Sequence, residues 1–343
     1  MIHLKVVTLN QSSIFLMNSS LCQKSRIVFL FVAVAMSSCS KEADPAKVVE
    51  PSAPSAPSAP SAPSAPSAPS APSAVAAPAA PPAIPSPFEW ADVIEPNPDP
   101  KIVTDADALQ RIIATGLPWK IRDKKSGIEL LLVPSGTFTM GLSVGDIDGQ
   151  NSEKPAHQVS ITKAFYLGRT EVTQLQWERQ LNSNPSSFFD PQLPVQRVEF
   201  GDVTRFLDAT GFRLPTEAEW EYACRAGSDQ ARYGDLEIIA RYQGNSKSQP
   251  GIVGQRPANE WGFHDMLGNA MEWCSDYFQA DYYSQCKSEA KDPMGPSQGK
   301  IRVTRGGSWA GIAKMSRASY RYGVAPDYRG DFLGDGLRVA RNP

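Results

Sequence analysis

Residues 213–223 read Arg-Leu-Pro-Thr-Glu-Ala-Glu-Trp-Glu-Tyr-Ala, and this stretch decides the fold. Its Thr216 and Glu219 form a capping box, in which the hydroxyl accepts a hydrogen bond from an N-terminal amide and the carboxylate reaches back to Thr216. Two acidic residues in the first turn also suit the helix dipole. The pattern therefore predicts a helix that begins after Thr216, turns Trp220 inward and ends at Gly227.

Outward from this helix, the sequence predicts short elements separated by long loops. A second capping box, from Thr173 to Gln176, predicts a helix that carries Trp177, and an amphipathic pattern after Thr104 predicts a helix that ends near Gly116. Short strands are predicted at 130–133, 137–140, 157–161, 301–304 and 337–340. Few helices and scattered short strands indicate an α+β domain and argue against a Rossmann or barrel fold.

Further segments around residues 213–223 make the domain recognisable. They are Val133-Pro134-Ser135-Gly136 with Met140-Gly141, Glu171-Val172-Thr173, Gly268-Asn269-Ala270-Met271-Glu272-Trp273, Arg305-Gly306-Gly307-Ser308-Trp309 and the ending Gly336-Leu337-Arg338. In this order they resemble the formylglycine-generating enzyme, or sulfatase-modifying factor, family over residues 128–341. The resemblance implies an irregular α+β domain, related to C-type lectins, with short strands, few helices and long loops.

The resemblance also implies a chemistry that this chain cannot carry out in the family's way. The best-known family member oxidises a cysteine of sulfatases to formylglycine with copper and oxygen, and two cysteines hold the copper. The first matching position is Gly311, the second falls at or near Ser316, and no cysteine follows Cys286. Neither glycine nor serine can replace a soft sulfur donor. We therefore expect no bound copper, no formylglycine reaction and no catalytic residue.

A calcium site is implied by the same resemblance. Its ligands would be the side chains of Asp265 and Glu272 and the backbone carbonyls of Gly268 and Ala270. Hard oxygen donors within eight residues suit Ca²⁺, which would order the loops. The alternative for Glu272 is an ion pair with one of the C-terminal arginines. A second family calcium site would begin at Asn245, but the shorter loop after it argues against that site.

The remaining histidines and cysteines predict structural roles. Outside the leader, the histidines are His157, within a predicted strand, and His264, which lacks metal-ligand spacing to the Gly268 motif. An iron centre like that of the related sulfoxide synthases is therefore not expected. Cys224, Cys274 and Cys286 allow at most one internal disulfide, either Cys274–Cys286 or Cys224–Cys274. The alternative for Cys224 is a buried apolar residue.

The segment from Ala310 to Asp335 occupies the place where the family binds substrate. Aromatic residues among small polar ones are typical of binding surfaces. The predicted ligand-binding residues are Ser308, Trp309, Gly311, Tyr320, Tyr322, Tyr328 and Phe332. The arginines that recur here, Arg317, Arg321, Arg329 and Arg338, are predicted to form a framework of ion pairs. Because 316–339 lacks Lys, Gln, Glu, Met and Trp, the segment also resembles regions diversified by retroelements.

The N-terminal residues 1–38 are typical of a lipoprotein signal peptide. Ile27 to Met36 form an apolar run too short to span a bilayer, preceded by basic residues. Met36-Ser37-Ser38-Cys39 resembles a lipobox, which predicts lipidation of Cys39; the alternative is an ordinary cleaved signal. Met17 is a candidate true start. Ser40 after the cysteine favours the outer membrane, so we expect a cell-envelope protein, periplasmic or surface-exposed.

Residues 39–87 predict a stalk that carries the domain at 88–343. From Pro51 to Pro72 proline recurs at every third position, which excludes helix and sheet and favours polyproline II. About forty such residues would span roughly 100 Å.

Composition and charge set the limits on partners. The formal net charge of -2 gives no electrostatic reason to expect nucleic acid. The sequence therefore predicts an envelope lipoprotein, anchored to the membrane through its lipid, whose domain binds an unknown protein or glycan ligand without catalysis. One alternative is an oxidoreductase of the family with altered metal chemistry. Another is a structural or accessory envelope protein.

Overall fold

A computed structural model describes residues 86–286, 289–330 and 335–343. The signal peptide, Cys39, nearly all of the stalk and Phe332 lie outside the described residues. Within the described part, no helix combines the length and the apolar character that a membrane span requires.

The strands form three small sheets. The first has five antiparallel strands in the order β1 (Ala91–Glu95), β2 (Lys120–Asp123), β3 (Glu129–Val133), β6 (Phe165–Gly168) and β12 (Ala340–Arg341). The second has the order β10 (Tyr322–Val324), β9 (Arg302–Arg305), β7 (Met271–Tyr277) and β11 (Asp335–Gly336), and β11 is parallel to β7. The third contains β4 (Gly136–Met140), β5 (His157–Ile161) and β8 (Glu289–Lys291). The α+β prediction is confirmed.

Side-chain caps begin the three helices that the sequence predicted. The α-helices in the described part of the chain are α1 (Ala106–Ala114), α2 (Gln174–Leu181), α3 (Phe200–Thr210), α4 (Glu217–Arg225), α5 (Leu236–Ile239) and α6 (Tyr282–Gln285). The predicted helices correspond to α1, α2 and α4. Asp105 caps α1, and complete capping boxes begin α2 at Thr173 and α4 at Thr216. Helix α4 ends as predicted, because Ala226 and Gly227 both adopt positive φ.

The strand predictions are confirmed except for one. The segments 130–133 and 137–140 form strands as predicted, and the turn at Pro134 carries the chain from the first sheet to the third. Residues 337–340 do not form one strand: β11 ends at Gly336 and β12 begins at Ala340. Between them, the buried Arg338 turns into the core to reach Glu272.

Helix α4 lies at the centre of the domain. All of its residues except Glu219 are buried. Trp220 is fully buried, and its indole Nε1 donates a hydrogen bond to Glu272 at 2.6 Å. Helix α4 contacts β4, β5, β7 and β9, so one helix joins the second and third sheets. Its carboxylates, which the sequence did not place inside, therefore need buried partners.

Candidate functional site

Buried arginines tie the C-terminal segment to the rest of the domain. Arg317 pairs with Glu153 at 2.7 Å and with Asp146 at 2.8 Å. Arg321 pairs with Glu217 at 2.6 Å. The predicted framework of ion pairs is confirmed, because Arg338 pairs with Glu272 at 2.7 Å and Arg329 with Asp202 at 2.7 Å and Glu199 at 2.9 Å.

Another buried arginine, Arg305, connects helix α4 to the C-terminal segment. Arg305 is fully buried and pairs with both Glu217 and Glu221 of α4. It also donates hydrogen bonds to the carbonyls of Ala318 and Ser319. The charged side chains of α4 therefore hold the C-terminal loop in place.

The charges around these carboxylates keep them ionised. Burial alone would raise the pKa of Glu153, but hydrogen bonds from Arg317 and Ser319 hold it below its ordinary value. Burial opposes ionisation of Glu217 in the same way, and the charges of Arg321 and Arg305 lower its pKa. Each group is thus a charged part of the framework.

Gly311 and Ser316, the positions that the resemblance matches to the family cysteines, lie in a closely packed loop. Gly311 is buried, and a Cβ added there would lie 3.2 Å from Ser308 N and 3.3 Å from Met315 Sδ. Ser316 is fully buried, and its Oγ lies 2.9 Å from the position that a Cβ on Gly307 would occupy. The side chains present here offer no thiolate, and the loop leaves little room for one at 311.

Most of the predicted ligand-binding residues lie below the surface. Ser308, Gly311 and Tyr320 are buried, and Trp309 is 8% exposed, with its ring against Phe188. Tyr322 is 38% exposed, and Tyr328 is half-buried. The buried members support this face of the domain, and a ligand on it would first contact their exposed neighbours.

We give the name 312–327 face to the exposed side chains between residues 312 and 327. They are Ile312, Lys314, Tyr322, Ala325 and Asp327. Ile312 is 43% exposed and is a branched apolar residue beside a lysine, and Tyr322 stacks on Tyr320 with ring centroids 6.4 Å apart. The sequence did not single out Ile312 or Lys314, because nothing in a coil segment distinguishes an outward from an inward residue.

Several buried polar atoms in or next to the C-terminal segment have no hydrogen-bond partner within the described chain. Among them are Ser308 Oγ, Ser316 Oγ, Gln196 Nε2 and both carboxylate oxygens of Asp335. The backbone carbonyl of Asp335 accepts a hydrogen bond from Val198 N at 3.2 Å. Burial raises the pKa of Asp335 to about 8. Such unsatisfied groups are uncommon in proteins and favour functional sites.

The predicted calcium site and an observed ion pair exclude each other at Glu272. Both carboxylate oxygens of Glu272 accept from Arg338, and one also accepts from Trp220 Nε1. An arginine stays protonated, so Ca²⁺ would have to displace a buried cation. The structure thus gives Glu272 its alternative role, the ion pair with a C-terminal arginine, and Glu272 as arranged does not fit calcium.

Two other buried carboxylates near Glu272, those of Asp265 and Glu171, also accept hydrogen bonds. Asp265 is buried, accepts from Gly254 N at 2.5 Å, and has its pKa raised to about 6, mainly by burial. Nearby Glu171 accepts from Asn269 Nδ2 at 2.9 Å, and burial and the charge of Asp265 raise its pKa. Among the described residues, no three His, Cys, Asp or Glu side chains are grouped so as to hold a metal ion.

The histidines and cysteines take structural positions. His264 Nδ1 lies 2.7 Å from Arg256 O and its Nε2 lies 3.0 Å from Arg169, so both ring nitrogens are used. His157 packs edge-on against Tyr283, with ring centroids 4.8 Å apart. Cys224, Cys274 and Cys286 are free thiols, so neither candidate disulfide is formed. Cys224 and Cys274 are buried, in agreement with the apolar alternative for Cys224.

Fold and site together define an irregular α+β domain that keeps an ion-paired frame around a loop without reactive thiols. The chain belongs to the sulfatase-modifying factor enzyme 1-like domain family, whose sequence model matches residues 119–343. It is 33% identical over 273 residues to the formylglycine-generating enzyme of Streptomyces coelicolor, covering 59% of this chain and 86% of that enzyme. It is also 31% identical over 241 residues to a Chlamydia pneumoniae protein named serine/threonine-protein kinase pkn1. That match covers 62% of this chain but only 38% of the longer relative.

Two solved structures share the fold. PvdO from Pseudomonas aeruginosa is 27% identical with a TM-score of 0.59, covering 65% of this chain and 98% of that one. Treponema denticola variable protein 1 is 26% identical with a TM-score of 0.55, covering 63% of this chain and 95% of that one. Residues 86–118, with β1 and α1, precede the part of the chain that the family matches.

Proposed function

We propose that this domain binds a protein or glycan ligand through the 312–327 face and carries out no formylglycine chemistry. The observation that carries the proposal is the pair Gly311 and Ser316, which stand where the family has its cysteines. A soft metal has no sulfur ligand at these positions. What the chain keeps of the family is a rigid scaffold under an exposed loop.

The physical character of the 312–327 face supports binding. Arg305, Arg317 and Arg321 fix the loop from below, so little conformational entropy is lost when a ligand binds. The face offers an aromatic and an apolar side chain together with charged Lys314 and Asp327. A fold relative carries the name variable protein, which is consistent with a scaffold that tolerates change at its exposed positions.

The N-terminal sequence supports display at the cell envelope. A lipid on Cys39 would anchor the chain in the membrane, in the outer membrane according to Ser40. The proline-rich residues 39–87 would then hold the domain away from the bilayer. Labelling of cells with a palmitate analogue tests this step. We expect the wild type to carry the label and to be found in the membrane fraction, and we expect Cys39→Ala to carry no label and to be absent from that fraction.

Replacing exposed residues of the 312–327 face should weaken ligand binding. We expect one saturable ligand when the purified chain is applied to a glycan array and to arrayed envelope proteins. Ile312→Ala and Tyr322→Ala should each reduce affinity by roughly tenfold, since side chains at the centre of an interface contribute most of its energy. Ile113→Ala is the matched control, because Ile113 is 48% exposed on α1 and Ile312 is 43% exposed. Equal losses in Ile312→Ala and Ile113→Ala would contradict the proposal.

Metal analysis separates binding from an altered redox function. After dialysis with copper, iron or calcium, elemental analysis of the purified chain should find no stoichiometric copper or iron. One copper or iron per chain would overturn the non-catalytic proposal, and His157 and His264 would be the first residues to replace. Calcium at one per chain would mean that Glu272 leaves Arg338, and it should then raise the melting temperature.

A further inference from the structure

A cavity of about 480 Å³ lies at a seam within the domain, and none of its lining residues belongs to the 312–327 face. One wall consists of Lys101, Ile102 and Thr104, which precede the part matched by the family. The other lining residues, among them Trp119 and Arg169, belong to the part that the family matches. The volume is within the range of small-molecule sites, about 300–1,000 Å³. We call it the seam cavity.

The lining of the seam cavity carries more positive than negative charge. Lys101, Lys120 and Arg169 face one acidic residue, Glu260. Two of these cations are partly neutralised, because Lys120 pairs with Glu95 at 3.2 Å and with Glu129 at 3.6 Å, and Arg169 pairs with Glu129 at 3.4 Å. Lys101 makes no ion pair with any residue in the described ranges and is exposed. This distribution favours an anionic group near Lys101.

A neutral histidine positions one of these cations. Nε2 of His264, which also lines the cavity, lies 3.0 Å from a terminal nitrogen of Arg169, and Nδ1 lies 2.7 Å from Arg256 O. The arginine can only donate, so Nε2 accepts and Nδ1 carries the hydrogen. Burial and the charge of Arg169 lower the pKa of His264. His264 therefore holds Arg169 without adding charge of its own.

The inner side of the seam cavity is apolar. Trp119, Ile102 and Leu131 come together around Gly262: a Cβ there would lie 3.0 Å from Ile102, 3.1 Å from Leu131 and 3.4 Å from Trp119 Cζ2. The Trp119 side chain itself is buried. An apolar lining with a few convergent polar groups is typical of ligand sites.

We propose that the seam cavity binds a small organic anion with an apolar, ring-sized body, such as an aromatic carboxylate. The carboxylate would lie among Lys101, Lys120 and Arg169, and the ring would pack against Ile102, Trp119 and Leu131. This site is independent of the ligand proposed for the 312–327 face. It requires residues 86–118, so it would be a property of this chain beyond the family fold.

Titration of the full chain with 1-anilinonaphthalene-8-sulfonate, an aromatic anion that fluoresces when bound, tests the proposal. We expect saturable binding of one dye per chain, weakened roughly tenfold by Lys101→Glu. Lys163→Glu is the matched control, because Lys163 is exposed and does not line the cavity. Ala258→Phe should abolish binding, since Ala258 lines the cavity and the larger ring fills it.

Three outcomes would overturn the proposal. They are a dye signal that does not saturate, equal weakening by Lys101→Glu and Lys163→Glu, and equal binding of the cationic dye thioflavin T. Circular dichroism of each variant establishes that it is folded. If Ala258→Phe does not fold, Lys101→Glu decides the result by itself, because its side chain is exposed and its loss leaves the core intact.

Discussion

Replacing Arg338 with methionine should lower the free energy of unfolding by about 3–5 kcal/mol. Arg338 is 0% exposed, pairs with Glu272 at 2.7 Å and donates to the carbonyls of Gly168 and His264 at 2.8 and 2.9 Å. Methionine retains much of the volume but leaves the buried Glu272 carboxylate without its cation. Urea unfolding followed by tryptophan fluorescence measures the loss.

The neighbours of Glu272 increase the expected effect. Burial and the charge of Asp265 raise the pKa of Glu171, whereas the charge of Arg338 opposes that rise. In Arg338→Met, the carboxylates of Glu171, Asp265 and Glu272 would share one buried region without this cation. Repulsion among these carboxylates therefore adds to the loss of stability.

Arg329→Met is the matched control for this substitution. Arg329 pairs with Glu199 and Asp202 but is 42% exposed, so its loss should cost only about 0–1 kcal/mol. Equal losses in the two variants would show that burial of the Arg338 pair is not what stabilises the domain. The double variant Arg338→Met with Glu272→Gln should recover part of the loss, because the unpaired charge at position 272 is removed.

Among the helices of eight or more residues, sequence predicted those whose N-termini carry side-chain caps. Thr173 and Thr216 each form a complete capping box, and Asp105 caps α1. Helix α3 was not predicted, and its N-cap, Glu199, makes no capping hydrogen bond. Capping depends on residues three positions apart and can be recognised in sequence. A helix stabilised mainly by packing has no such signal.

Sequence could predict the arginines of the ion-pair framework but not their acidic partners. The recurrence of arginines after residue 316 indicated ion pairs, but the partners lie far away in sequence. Arg317 and Glu153 are 164 residues apart, and Arg321 and Glu217 are 104 apart. Nothing local in the sequence distinguishes Glu217 and Glu221 from the exposed acidic residues that usually begin helices. Their burial follows from the position of α4 between two sheets.

The aromatic residues of the C-terminal segment illustrate the same limit. Composition indicated a binding surface rich in tyrosine and tryptophan, yet Tyr320 and Trp309 are buried and Tyr322 is exposed. Tyr322 lies in β10, the edge strand of its sheet, whereas Tyr320 precedes that strand. Side-chain direction in this loop depends on how Arg317 and Arg321 fix the backbone, which is a tertiary property.

Asp335→Asn should make the domain increasingly more stable than the wild type as the pH rises from about 4 to about 8. Asp335 is buried without a hydrogen-bond partner among the described residues, and burial raises its pKa to about 8. An unfolded aspartate releases its proton near pH 3.9, as aspartates ordinarily do. Between these values the folded state holds a proton that the unfolded state has lost. Wild-type stability therefore falls with pH, by up to ~1.4 kcal/mol per pH unit for this group.

The asparagine amide is neutral at every pH and has nearly the same shape, so the variant lacks this contribution. Asp265 and Asp276, whose pKa values burial raises to about 6 and about 7, are present in both proteins. The difference between the two unfolding curves therefore isolates Asp335. Asp327→Asn, a change at an exposed residue, should show no such trend. If Asp335→Asn instead lost stability as the pH rose, Asp335 would be ionised in the folded state, and a donor or cation would have to hold it.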